Sequence, residues 1–203
     1  MKTEVLKLNA ASKLTVARRT AEVLLRGGIC IIPTDTLYGI VALEQCTASV
    51  RRIYDIKNRS RSKPFIRLIG SIETLRNYTQ QPLPVQLRRN WPGPLTILFR
   101  DLEGGTVGIR CPDDPFLGDL FGLLGNRGIV APSANISGEE DICDCEVLTA
   151  TFDGKVDLIV CREGALAARR ASTIVDITTK PWRIVRQGAV RIGIIERGSN
   201  DNR

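Results

Sequence analysis

At 203 residues and 43% hydrophobic content, the chain has the length and apolar mass for one medium α/β domain with a substantial core. Its 29 Lys and Arg against 22 Asp and Glu leave a formal charge of +7, which favours anionic partners such as nucleotides, phosphates or RNA. The lack of any histidine excludes Ser-His-Asp and Cys-His triads, histidine-ligated zinc and imidazole acid–base steps.

Neither a Gly-x-x-x-x-Gly-Lys-Ser/Thr loop nor a Gly-x-Gly-x-x-Gly turn after a strand is present, so the ordinary nucleotide signatures do not apply. No apolar run reaches the roughly 20 residues of a membrane span, and Met1-Lys2-Thr3-Glu4 lacks a signal-peptide core, which leads to the expectation of a soluble cytoplasmic protein. Six cysteines, at 30, 46, 111, 143, 145 and 161, are expected as reduced, mostly buried thiols. Only Cys143 and Cys145 are close, and a C-x-C pair without a second pair or a histidine gives no metal site.

In chain order, Ser12 caps an expected helix to about Arg26, with Leu14, Ala17, Ala21, Leu24 and Leu25 near one face and Gly27-Gly28 as the stop. Ile29 to Ile32 reads as a buried strand closed by Pro33. The polar turn Thr34-Asp35-Thr36 with Tyr38 follows; at the end of a buried strand it suits a ligand, and equally an Asx or Ser/Thr turn beside a core tyrosine. Val50, Ile53, Tyr54 and Lys57 set a helical pattern over 48–57, ended by Pro64.

Phe65 to Ile69 is the next expected strand, and 71–78 a short helix with Ser71 as cap. Val85 to Asn90 is helical, and Trp91-Pro92-Gly93-Pro94 turns into a strand over 95–99. Thr106 to Arg110 is a strand whose terminal arginine fits either a carboxylate clamp or a surface salt bridge. A helix over 115–124 has Asp113 or Asp114 as its cap, and 128–131 is a short strand leading into Ser133 and Asn135. A helix over 147–152, a strand over 157–161, a mobile loop over 162–170, paired strands at 172–176 and 182–186, and a frayed tail over 197–203 complete the reading.

Lys57-Asn58-Arg59-Ser60-Arg61-Ser62-Lys63-Pro64 packs four cations into seven residues at a helix end. Beside Ala131-Pro132-Ser133-Ala134-Asn135 it would combine charge neutralisation with neutral donors, as a phosphorylated ligand requires. A solvated basic helix end, favoured by the helix dipole, is the plain alternative.

Together and in this order, Pro33 to Gly39, Lys57-Asn58-Arg59, Trp91 to Thr96, Val107 to Pro112, Ser133-Ala134-Asn135, Ser172 to Asp176 and Arg186 to Ala189 resemble the YrdC-like threonylcarbamoyl-AMP synthase family over roughly residues 14–190. The split Lys-x-Arg and Ser-x-Asn signature is the most specific part. The resemblance implies an α/β fold: one YrdC/RibB-like domain spanning 1–203, in the short form, with an open twisted mixed sheet, surrounding helices and a concave basic cavity.

It further implies an enzyme, a nucleotidyltransferase, that joins L-threonine, bicarbonate and ATP into threonylcarbamoyl-AMP and pyrophosphate for the t6A modification at tRNA position 37. Carried over by motif position, Thr36, Tyr38, Arg110 and Ser172 would hold threonine. Arg59, Lys63, Thr106, Ser133, Asn135, Asp141 and Arg186 would hold ATP, with Lys57 and Arg59 as catalytic residues. A position that is histidine in some members is Leu68 here. Mg2+ is expected to bind mainly through ATP, since no carboxylate cage is visible. The t6A transferase machinery is the expected partner, and related chains suggest RNA contact on the basic face. A non-catalytic RNA-binding paralogue is the alternative, weakened by an aromatic content of only 5%.

Overall fold

The computed structural model describes residues 2–164 and 170–193. Among these, ten strands form one sheet in the order β1-β8-β2-β3-β7-β4-β6-β5-β9-β10. The first half of the chain supplies β1 (Glu4–Leu8), α1 (Lys13–Leu25), β2 (Cys30–Pro33), β3 (Tyr38–Leu43), α2 (Thr47–Ile56), β4 (Arg67–Leu68), a 3-10 helix (Ile72–Asn77), α3 (Val85–Arg88) and β5 (Leu95–Arg100). The second half supplies β6 (Thr106–Arg110), α4 (Pro115–Leu123), β7 (Ile129–Val130), α5 (Cys145–Phe152), β8 (Leu158–Arg162), β9 (Thr173–Asp176) and β10 (Arg183–Arg186). The sheet is mixed: β2 runs parallel to β8 but antiparallel to β3, and β6 runs parallel to β4 but antiparallel to β5.

Strand alternation divides the core between the two faces. Cys30, Ile32, Val41 and Leu43 pack with Leu24 of α1 and with Phe116, Leu120 and Phe121 of α4. Their neighbours Ile29, Ile31, Ile40 and Ala42 point the other way, onto Ile53 of α2 and Leu148 and Phe152 of α5. A third cluster gathers Trp91, Leu95, Ile97, Phe99, Val107 and Ile109 under the far end of the sheet.

Several expectations are corrected. The segment Glu4–Leu8 is a parallel edge strand beside β8, unforeseen because its alternation is short and half exposed. Ser12 does not cap α1: its hydroxyl accepts from the Asn9 N–H and donates to the Lys7 carbonyl instead. Ser71 likewise leaves the 3-10 helix without a side-chain cap. Of the two candidates for α4, Asp114 is the cap, accepting from the Phe116 and Leu117 N–H groups at 3.0 and 3.2 Å.

The expected strand over 65–69 shrinks to Arg67–Leu68 because Phe65 leaves the sheet to stack on Tyr54, with ring centroids 3.9 Å apart. Arg162 ends β8 rather than opening a loop; residues 165–169 of that expected loop and the tail 197–203 lie outside the described residues. The cysteines are not all free thiols. Cys145 at the start of α5 is bonded to Cys161 on β8 across a Cα–Cα distance of 5.7 Å, and Cys143 stays unpaired.

Candidate functional site

The turn between β2 and β3, the C-terminal end of α2, the end of β6, the loop after β7 and the ends of β9 and β10 converge on one cavity of about 570 Å³. Its described lining carries five cations, Lys57, Arg59, Lys63, Arg110 and Arg186, against a single carboxylate, Asp141. Of the residues expected from sequence, Thr36, Tyr38, Ser133, Asn135 and Ser172 line it as well.

Thr106 does not line the cavity. It sits exposed at the opposite end of β6, paired with Arg100. Four positions along a strand preserve the face but displace the side chain by about 13 Å from Arg110.

The Lys-x-Arg spacing has a local cause. Lys57 is the C-cap of α2, and Asn58 takes a left-handed conformation at φ 50°. The Asn58 N–H returns to the Asp55 carbonyl at 3.1 Å and the Arg59 N–H to the Tyr54 carbonyl at 3.0 Å, the paired bonds of a Schellman ending. The reversal turns Lys57 inward and leaves Arg59 half exposed at the cavity wall.

Lys57 is 2% exposed. Its ammonium donates to the Ser133 carbonyl at 2.6 Å, the Asn135 carbonyl at 2.5 Å and the Asn135 Oδ1 at 3.0 Å. All three N–H groups are thereby spent on the loop after β7, so a direct phosphate contact, the role expected from sequence, gives way to a clamping one. The Ser137 N–H returns to the Lys57 carbonyl at 3.0 Å, and the Ser133 hydroxyl donates to the Asn135 Oδ1 at 2.8 Å. The Asn135 amide in turn donates to the Glu139 carbonyl at 2.7 Å, which ties the clamp to the acidic loop bearing Asp141. Burial, reinforced by Arg59 and opposed by Asp141, draws the Lys57 pKa from 10.5 down to about 8.

Arg59 stays available to a ligand: its Nε donates to the Lys63 carbonyl at 3.0 Å, and its guanidinium carbon stands 5.4 Å from the centre of the Phe65 ring. Lys63 is exposed at the rim. Arg61 is not part of the lining; it is paired on the surface with Asp55 at 3.5 Å.

At the other pole, Arg110 is 4% exposed. It donates from Nη1 to the Thr36 hydroxyl at 2.9 Å and from Nη2 to Asp35 at 2.8 Å, while its buried Nε has no partner. Burial lowers the Arg110 pKa, Asp35 opposes that shift and Arg186 adds to it. Arg186 donates to the Ser172 carbonyl at 3.0 Å and to its hydroxyl at 3.1 Å, and Ser172 also shares a 2.9 Å hydrogen bond with Thr96. The Tyr38 hydroxyl accepts from the Arg162 N–H at 3.1 Å, so its ring forms wall while its polar tip is already engaged.

Sequence reading left Asp35 without a definite role and did not place Phe65 or Ser137 at the site. The position of Phe65 directly after Pro64, two residues beyond a cluster of cations, was the available signal. Ser137 had none.

The arrangement is a basic cleft with a phosphate-suited pole at Arg59, Lys63 and Ser133 and a carboxylate-suited pole at Arg110, Thr36 and Ser172. Residues 22–188 match the Sua5/YciO/YrdC family model, described as "Telomere recombination". The chain belongs to the Sua5/YciO/YrdC family.

Among its relatives, the threonylcarbamoyl-AMP synthase of Pyrococcus abyssi is 32% identical over 84% of this chain and 53% of the relative. That of Rattus norvegicus is 31% identical over 86% of this chain and 68% of the relative. The crystal structure of P. abyssi Sua5 complexed with L-threonine superposes with a TM-score of 0.81 at 28% identity, covering 93% of this chain and 58% of the other. The chain thus spans about half the length of the Pyrococcus relative.

Proposed function

We propose that the protein is an L-threonylcarbamoyl-AMP synthase, a nucleotidyltransferase that supplies the threonylcarbamoyl group for t6A in tRNA and works in the cytoplasm as a single unit. The observation that carries this reading is the meeting of the two poles in one cavity, whose size suits a nucleotide and an amino acid together. The similarity to named synthases, one of them complexed with L-threonine, supports it.

In the proposed reaction the threonine amine adds to bicarbonate, water is lost, and a carbamate forms. A carbamate oxygen then attacks the α-phosphorus of ATP as the bond to pyrophosphate breaks. Such a step depends chiefly on positioning and on stabilising charge, so it needs no histidine. Arg110 and the hydroxyls of Thr36 and Ser172 would hold the carboxylate, leaving the amine free. Arg59 and Lys63 would neutralise the phosphates, the Ser133 loop would orient the nucleotide, and Arg186 would close the space between the poles. Lys57 would act by fixing that loop rather than by touching ATP.

No group of three or more His, Cys, Asp or Glu side chains suited to a metal ion occurs among the described residues, and Asp141 is the one carboxylate in the described lining. This donor set fits Mg2+ carried on ATP oxygens and water, with Asp141 as the available protein contact; the ion would supply charge neutralisation on the phosphates. The test is mass detection of threonylcarbamoyl-AMP, with equimolar pyrophosphate, after incubation with ATP, L-threonine and bicarbonate. No product from folded protein overturns the reading, and salt-dependent RNA binding without product would replace it with the non-catalytic alternative.

A further inference from the structure

A cavity that must hold a triphosphate and an amino acid side by side has a discrimination problem. Five cations line it, and a polyanion is drawn to every one of them. Arg110 differs from the others in being buried against a carboxylate. The side chains of Arg110 and Asp35 are 4% and 7% exposed and 2.8 Å apart, so their charges cancel where water does not screen them.

Asp35 is itself held in place. The turn that carries it is cross-linked by the Thr34 hydroxyl, which donates to the Leu37 carbonyl at 2.7 Å and accepts from the Thr36 N–H at 3.1 Å. The second carboxylate oxygen of Asp35 faces the Asp113 N–H at 3.4 Å, at the approach to α4. Thr36 and Asp35 fix one N–H on each terminal nitrogen of Arg110, and the second N–H on each remains.

The geometry points to Asp35 as the specificity-determining residue of this pole: by cancelling the charge of Arg110 while holding its fork in register, it admits a carboxylate and refuses a phosphate. This rests on the reading of Arg110 as the threonine-carboxylate residue. A singly charged carboxylate carrying its own ammonium group fits two oriented N–H donors on an arginine whose own charge Asp35 cancels. A phosphate of higher charge needs net positive potential to offset its loss of water, and finds it at Arg59 and Lys63, which form no ion pair among the described residues.

The test compares wild type, Asp35→Asn and Asp35→Glu by calorimetric titration with L-threonine and with inorganic phosphate, each in the presence and absence of ATP. In wild type, phosphate should occupy one site, displaced by ATP, and should leave threonine binding unchanged. Asp35→Asn keeps the shape but uncovers the charge; it should still bind threonine and gain a second phosphate site that competes with threonine and not with ATP. Asp35→Glu should retain the exclusion of phosphate, which separates charge cancellation from a structural effect and serves if Asp35→Asn does not fold.

Failure of Asp35→Asn to gain phosphate binding, or its loss of ATP binding in step with threonine binding, would overturn the inference. Should wild type bind no threonine while Asp35→Asn still gains the phosphate site, the charge-cancelling role stands and the threonine reading falls.

Discussion

The Lys57 ammonium and the Asn135 side-chain oxygen lie 3.0 Å apart across 78 residues of sequence, so the two halves of the Lys-x-Arg and Ser-x-Asn signature are bonded to each other. Their joint presence follows from this contact. Lys57→Met would leave the Ser133 carbonyl, the Asn135 carbonyl and the Asn135 Oδ1 without their shared donor, at a cost of about 3 kcal/mol in stability. Pyrophosphate release should vanish even at temperatures where circular dichroism reports a folded chain. Lys57→Arg should not restore it, because a planar guanidinium cannot reproduce three convergent ammonium donors.

Arg59 and Arg61 should part company. Arg59→Ala removes a cation from the cavity wall, and the KM for ATP should rise by about 10- to 100-fold with little change in the affinity for threonine. Arg61→Ala loses only a 3.5 Å surface pair with Asp55, and steady-state kinetics should match wild type.

Lys57 also sets a pH dependence whose two readouts diverge. Its proton leaves at about pH 8 in the folded chain and at 10.5 in the unfolded one, so the unfolded state holds more protons in between and this residue's contribution to stability rises with pH. Cys30, Cys111 and Cys143 oppose it as pH approaches and passes their ordinary value of 9.0, since burial raises each thiol, Cys111 to about 11, and stability is lost as the unfolded thiols ionise. Between pH 8 and 9 the melting temperature should therefore hold. Activity should fall over the same interval, because a neutral amine has only two N–H groups for three acceptors. A pH profile of product formation beside one of thermal melting checks the divergence.

The Cys145–Cys161 bond closes a loop of 16 residues, and opening it should cost about 3 kcal/mol. Denatured protein should titrate four thiols without reductant and six with it, and Cys145→Ser should melt at the temperature of the reduced wild type.

Much of the site was legible because its chemistry is carried by residue types that stand out in sequence. Three of the four cations before Pro64, a strand ending in Arg110 and the Ser133–Asn135 loop all reach the cavity through ordinary helix and strand ends. What was not legible depends on distance or on pairing. Thr106 lies on the same strand as Arg110, but a rise of about 3.3 Å per residue carries it out of the cavity lining. Lys57 looked like a phosphate contact because side-chain type reveals charge and not which donors are already committed. The Asp35–Arg110 pair joins positions 75 apart, and no local pattern announces it. The disulfide escaped for a related reason: in sequence the neighbour of Cys145 is Cys143, whereas its partner is brought alongside by the packing of α5 on β8.

The interleaved strand order has a consequence for how the protein acquires its function. β3 must pair with β7, and β7 with β4, before the helix end carrying Lys57 can meet the loop carrying Asn135, and β4 must also lie beside β6 before Arg110 reaches the same space. No contiguous fragment that stops short of β7 contains a nucleotide pole, and none that stops short of β10 contains Arg186. Ligand affinity should therefore emerge in one late step of refolding, after most helical structure has formed, and two separately expressed halves should bind ATP only when mixed.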